Sequence, residues 1–261
     1  MVMPLGDDNR DRRSFPVVTL VLIAINVLVF VVAQGMGAND AFTMAFSTVP
    51  REIVTGKDIV TQDRVVEVTT VEGPQRVRRP GHKPTPGSVY FTLLTSMFMH
   101  GGIAHLLGNM WFLWIFGDNI EDDVGKVRYV AFYLLCGLLA SLTHVVLNAS
   151  GDSSTIPSLG ASGAISGVMG AYLLLHPHRR VTVLLLRIIT QVPGWVAVGL
   201  WFLFQIISSL GILGGMNAGV AYGAHIGGFV AGAALARPFM LGRTLPPQQP
   251  SVPQRQSYGR W

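Results

Sequence analysis

Uncharged apolar residues recur along the chain in runs of spanning length, at about 15–33, 102–117, 127–147, 161–175, 194–213 and 219–236. A tilted helix needs roughly 20 such residues to cross a bilayer, so the pattern predicts an all-α polytopic membrane protein with six transmembrane helices. Between the first and second runs, roughly residues 37–88 are polar and rich in Arg, Lys and Pro. They predict a long first loop or small insert, with strand character around Arg64 to Val71, where polar and β-branched residues mix. Residues 1–14 read as an N-terminal tail and 237–261, rich in Pro and Gln, as a disordered C-terminal one, leaving a membrane domain over 15–236. The fourth run is short, because Pro177 closes it and Pro157 to Gly160 precede it. At about 1.5 Å per residue its helix falls short of the full hydrocarbon core. Irregular backbone at that depth is tolerated only when buried in protein or lining a wet cavity. A cavity is therefore expected at its outer end, where Ser162 lies.

Composition agrees with the runs. Half of the 261 residues are hydrophobic, 13% are charged, and the mean hydropathy is +0.46. Soluble proteins carry roughly a quarter charged residues, so this chain must turn apolar surface toward lipid. The net charge of +5 comes from Lys and Arg scattered through loops and tails, which anionic headgroups explain and which offers no nucleic-acid surface. Cys136 is the single cysteine, so no internal disulfide forms. Arg10, Arg12 and Arg13 precede the first run, but Phe15 to Val32 exceeds the roughly 7–15 residues of a signal-peptide core and lacks a small-x-small cleavage site. It reads as a retained span.

Basic residues also predict orientation. They occupy the N-terminal tail, the loops after the second run (Lys126, Arg128) and the fourth (Arg179, Arg180, Arg187), and the C-terminal tail, and are missing from the short loops after the third and fifth. Both termini are expected to be cytoplasmic in a cell membrane. The first loop carries seven basic residues against this trend, moderated by its acids.

Candidate chemistry starts at Gly160-Ala161-Ser162-Gly163, which opens the fourth helix. Serines are common in membrane helices as packing and back-bonded groups. A helix N-terminus, however, supplies free N–H groups and a positive dipole end that favour a developing oxyanion. A serine nucleophile also needs a base. Of seven histidines, His82 falls in the polar loop, His176 and His178 in the basic loop after the fourth run, and His144 alone near the outer end of the third. His100, His105 and His225 remain. Each either bonds helices together or serves a site, since an imidazole in hydrocarbon is costly.

Spacing distinguishes them. His225, Gly228 and Gly232 share one face of the sixth helix, and Gly163, Ser166, Gly167 and Gly170 form a matching small face on the fourth. Close approach of those faces brings His225 within reach of Ser162. The second, fourth and sixth helices all run inward from the outer surface under the predicted orientation, so His105 and Asn109, Ser162 and His225 meet at one depth. His105 and Asn109 lie one turn apart and both offer donors suited to an oxyanion. His100, nine residues of helical rotation from Asn109, points elsewhere and is read as structural, with Gly160, Gly163, Gly228 and Gly232 around the site. His100 and His105 lack the i, i+4 spacing and acid of a zinc-protease motif, so neither metal nor cofactor is expected.

The ordered motifs His100-x4-His105-x3-Asn109, Gly160-x-Ser162-Gly163 and Ala224-His225-x2-Gly228-x3-Gly232 resemble the rhomboid family of intramembrane serine proteases over roughly residues 88–236. The resemblance implies a six-helix bundle and a Ser162–His225 dyad without aspartate, Ser162 as nucleophile and His225 as base, then acid. It also implies an oxyanion hole from His105, Asn109 and the Ser162 N–H, transmembrane protein substrates in the lipid bilayer, an acyl-enzyme, and a site opening toward the extracytoplasmic side. The chain departs from many members at Tyr90-Phe91, where they have Trp-Arg, and from some at Ser166, where they have an aromatic. These departures fall on the anchoring of the first loop and on the packing that orients His225. Two other readings compete. A small transporter would show internal repeats and intramembrane charges, whereas Glu121, Asp122 and Asp123 read as loop residues. An inactive relative that escorts membrane clients would have no use for both Ser162 and His225.

Overall fold

The structure, a computed structural model, describes residues 2–70, 73–185, 187–209 and 221–245. Among them are six helices of 12 residues or more: α1 (Val17–Leu28, continued by a π turn over Val29–Ala33), α2 (Ile103–Val124), α3 (Lys126–Leu147), α4 (Ser162–Leu175), α5 (Gly194–Ser209) and α6 (Tyr222–Phe239). Each falls on one of the apolar runs; 210–213 of the fifth run and 219–220 of the sixth lie outside the described residues.

Beside its apolar core, the bundle buries polar side chains and exposes large apolar ones. Thr19, Asn26, Gln34, Asn109 and Gln205 are buried, while Val21, Leu28, Val32, Leu107, Trp114, Phe204 and Val230 are exposed. Hydrocarbon outside the bundle accounts for the exposed apolar side chains. Among the described helices only α3 is both long and apolar enough to cross a membrane by length and composition; 17–33, 162–175 and 194–208 are shorter apolar helices.

Helix α4 sits at the centre, packed by α2, α3, α5 and α6. Its contact with α6 is backbone against backbone. A Cβ on Gly228 would overlap the Gly163 carbonyl, and one on Gly232 the Gly167 carbonyl. Such small-residue faces let membrane helices approach to van der Waals contact.

At the end of the bundle opposite Ser162, several expectations are corrected. Helix α2 runs to Val124 rather than stopping near 117, so Glu121, Asp122 and Asp123 are buried helix residues and not a loop. Each is satisfied. Glu121 accepts the N–H groups of Val18 and Thr19 at 2.9 and 2.7 Å, capping α1 at its positive end. Asp122 accepts from Ser14 Oγ at 2.7 Å and from Arg13, and Asp123 lies 2.6 Å from His176 Nε2. His176 is therefore buried, not part of a solvated loop.

The N-terminal segment and the basic loop are also structured. β1 (Val2–Asp7) pairs antiparallel with β4 (Arg180–Leu185), which pairs with β5 (Ile188–Pro193). Val181 and Val183 point inward and Arg180 outward, the period of two that a half-buried strand requires. In the first loop, β2 (Arg64–Thr70) is the strand that the mixed polar and β-branched residues suggested, and it pairs antiparallel with a second strand, β3 (Gly73–Arg79), that they did not; Val71 lies outside the described residues. Helix α6 continues past 236 to Phe239, and Arg243 donates to the carbonyls of Asp122 and Asp123. The described part of the tail, 237–245, is thus attached to the bundle, and 246–261 lie outside the described residues.

Asp7 closes this end. Its Oδ2 accepts from Asn119 Nδ2 at 2.8 Å and from Tyr172 OH at 2.9 Å, while Oδ1 is buried without a partner among the described residues. Burial, and then the nearby Asp118, push its carboxyl up to about 7. An unfolded Asp titrates near 4, so the folded chain binds the extra proton between these values. Its contribution to stability is full below the unfolded value and is lost as pH rises through about 7. The unfolding temperature in detergent is expected to drop between pH 6 and 8, and Asp7→Asn to flatten that drop; an equal drop in the variant would exclude Asp7 as its source.

Candidate active site

The segment ahead of α4 is fixed before the helix begins. Thr48 and Ser158 exchange backbone hydrogen bonds at 3.0 and 2.8 Å, and the Thr48 hydroxyl bonds the Thr92 carbonyl and Ser96 Oγ. The Gly160 N–H donates to the Ser96 carbonyl at 2.9 Å. These bonds anchor the first loop, and they pair the irregular backbone of 158–160, as burial near a membrane demands. Tyr90 and Phe91 are exposed, with the Tyr90 hydroxyl lying near Gly56 of the first loop.

Ser162 is then the first residue of α4, and its Oγ lies 2.8 Å from His225 Nε2. Close contact of α4 with α6 sets this distance, because the glycines let the two helix starts meet. The other ring nitrogen, His225 Nδ1, lies 2.8 Å from Gln205 Oε1 on α5. The Trp201 ring centroid is 6.1 Å from that of His225, and Tyr222 meets it edge-on at 6.4 Å. One turn after Ser162, Ser166 has its Oγ engaged, donating to the Ser162 carbonyl at 2.6 Å. Gln205 is the site residue that the sequence alone did not single out. Its signal was a lone amide in an uncharged run, which the costliness of buried polar groups in membranes makes worth a partner search.

His105 and Asn109 lie on the first turns of α2. His105 Nδ1 accepts from the Gly101 N–H at 3.3 Å, so Nε2 carries the proton. That edge of the ring covers Gly160: a Cβ there would come within 2.9 Å of His105 Cε1, 3.0 Å of Nε2 and 3.5 Å of Ser162 Oγ. Gly160 has φ of +130°, so both its backbone and its neighbours exclude a side chain. Asn109 is buried, and its Nδ2 has no partner among the described residues. A buried donor left unsatisfied carries a free-energy cost of about 1–3 kcal/mol, which a ligand oxygen would relieve. Beside Ser162 a cavity of about 20 Å³, bordered by Ser96, Ser158, Gly160, Ser162 and Gly163, has room for one water.

Helical rotation does not set the position of His100. It precedes α2, which starts only at Ile103 after Gly101-Gly102. Gln34, at the end of α1, accepts from its N–H and donates to its carbonyl, both at 2.9 Å. Its buried ring packs edge-on behind His105 at 5.2 Å.

Fold and site together define a helical polytopic membrane protein with a hydrogen-bonded Ser–His pair. The family model for the rhomboid domain matches residues 87–241, more than half of the chain, and the chain belongs to the rhomboid family. Among its relatives, the rhomboid protease GluP of Bacillus subtilis is 36% identical over 151 residues, 57% of this chain and 27% of that protein. RHOMBOID-like protein 6, mitochondrial, of Arabidopsis thaliana is 36% identical over 153 residues, 59% of this chain and 45% of that one. The presenilin-associated rhomboid-like protein, mitochondrial, of Homo sapiens is 34% identical over 103 residues, 39% and 27% respectively. The matches span less than half the length of each of these relatives.

Proposed function

We propose that this chain is an intramembrane serine endopeptidase that hydrolyses peptide bonds in or next to transmembrane segments of membrane proteins. The observation that carries the reading is the 2.8 Å contact between Ser162 Oγ and His225 Nε2, made inside a family to which a named protease belongs. In this reading Ser162 Oγ attacks the substrate carbonyl as His225 Nε2 takes its proton. The tetrahedral oxyanion accepts from His105, Asn109 and the Ser162 N–H. His225 then protonates the leaving amine, and a water in the small cavity releases the acyl group by the same route in reverse. The substrate segment must unwind to present a carbonyl, so helix-weakening residues near the cut are favoured.

The six helices are assigned as membrane spans of a domain covering about 15–236, with both termini cytoplasmic, the site opening on the extracytoplasmic side, and the cell membrane as location; the bias of Lys and Arg toward alternate short loops supports this. An inactive escort would leave the Ser–His contact without purpose. A transporter is disfavoured because the acids of α2 lie in ion pairs and caps at the far end from the site.

The test is a fluorophosphonate probe on detergent-purified protein, with the adduct mapped by mass spectrometry. Labelling on Ser162 and cleavage of a generic transmembrane substrate are expected. Absence of both under all conditions would transfer the assignment to the escort reading.

A further inference from the structure

The dyad contains no acid, yet a neutral imidazole acts as a base toward Ser162 only if Nε2 is bare and Nδ1 carries the hydrogen. Something must hold that tautomer. On α5, Gln205 is buried and places Oε1 2.8 Å from His225 Nδ1. A carbonyl oxygen can only accept, so this bond requires hydrogen on Nδ1 and leaves Nε2 free to accept from Ser162 Oγ, 2.8 Å away. One turn earlier on the same face, Trp201 lies beside the imidazole at 6.1 Å and in turn beside Phe229 at 6.5 Å, which limits rotation of the His225 ring. Helix α4 supplies neither function, because Ser166 is spent on the Ser162 carbonyl.

We propose that Gln205 is a positioning residue for His225, fixing its tautomer through Nδ1 while Trp201 fixes its plane. The pair on α5 thus performs the orienting task that a carboxylate performs in a Ser-His-Asp triad, without placing a charge in the membrane. This rests on the protease reading.

The consequences follow from the chemistry of each replacement. Gln205→Leu removes the acceptor and lets both tautomers populate, so kcat is expected to fall about 10- to 100-fold, the usual loss when an orienting partner is removed, with KM little changed. Gln205→Glu keeps the shape and the acceptor but adds a negative charge next to the imidazole. The acid limb of the rate–pH profile is then expected to move up by about 1–3 pH units. The other titratable groups facing His225 are His105 from α2, His144 from α3 and Tyr222 on its own helix; none is altered.

The experiment measures fluorophosphonate labelling rate against pH, together with kcat and KM on a generic transmembrane substrate, for wild type, Gln205→Leu and Gln205→Glu, with unfolding temperatures alongside. Wild type that fails to label overturns the protease reading itself. Wild type that labels, with Gln205→Leu at an unchanged rate or Gln205→Glu with an unshifted profile, overturns only the role of Gln205. If Gln205→Leu does not fold, Gln205→Met, which keeps the length of the side chain without a strong acceptor, takes its place: an unchanged labelling rate in that variant overturns the role of Gln205.

Discussion

Cleavage of a transmembrane substrate by the His225→Ala variant is expected to fall at least about 10⁴-fold, and Ser162→Ala to reach the same floor. The reason is the shared hydrogen bond between Ser162 Oγ and His225 Nε2. In the proposed mechanism, the hydroxyl without its base is a poor nucleophile, and the base without the hydroxyl has nothing to activate. The double variant is therefore expected to be no slower than either single one, because groups that act as a unit give non-additive losses. Turnover by the three variants, measured over days with the wild type diluted to match, checks this. Losses that multiply, or cleavage that survives Ser162→Ala, would point to a different nucleophile.

The second large effect is expected far from any reacting atom. Gly232 lies two turns beyond His225 on α6, and a Cβ there would run into the backbone of Gly167 on α4. Backbone cannot rotate out of the way as a side chain can, so Gly232→Ala must separate the helices. Overpacking of this kind costs about 1–3 kcal/mol. Separation also draws His225 from Ser162, so labelling should slow out of proportion to the loss of stability. A Cβ at Gly199 on α5 would meet nothing within 4 Å, which makes that position the control: Gly199→Ala should leave both readouts near wild type. The comparison is made by unfolding temperature and labelling rate in one detergent. Equal behaviour of the two variants would remove the glycine contact from the account of the site.

Much of this architecture was readable from residue order alone, because its main signals are local or periodic. The apolar runs placed all six long helices, and the i, i+3, i+7 spacing of His225, Gly228 and Gly232 put them on the face that meets α4. What stayed hidden depended on partners distant in sequence. Asp122 and Asp123 look like a helix stop until Ser14, Arg13 and His176 are seen to satisfy them. Gln205 looks like ordinary interhelical glue until it is seen beside His225. His100 was misplaced for a local reason: Gly101-Gly102 delays the start of α2, and helical rotation relates two residues only within an unbroken helix.

The strand pairing at the far end of the bundle sets an order of assembly. β1 finds its partner β4 only when residues 180–185 exist, and Tyr172, Asn119 and Arg179 must all be present to receive Asp7 and Asp11. At roughly 5–20 residues per second, the ribosome makes the first strand roughly ten to thirty seconds before its partner. During that interval β1 must wait unpaired while the residues of α1 to α4 are made. Its docking is then a late event that registers the arrival of the α4–α5 connection, and a slow step in biogenesis is expected there rather than at the membrane helices themselves.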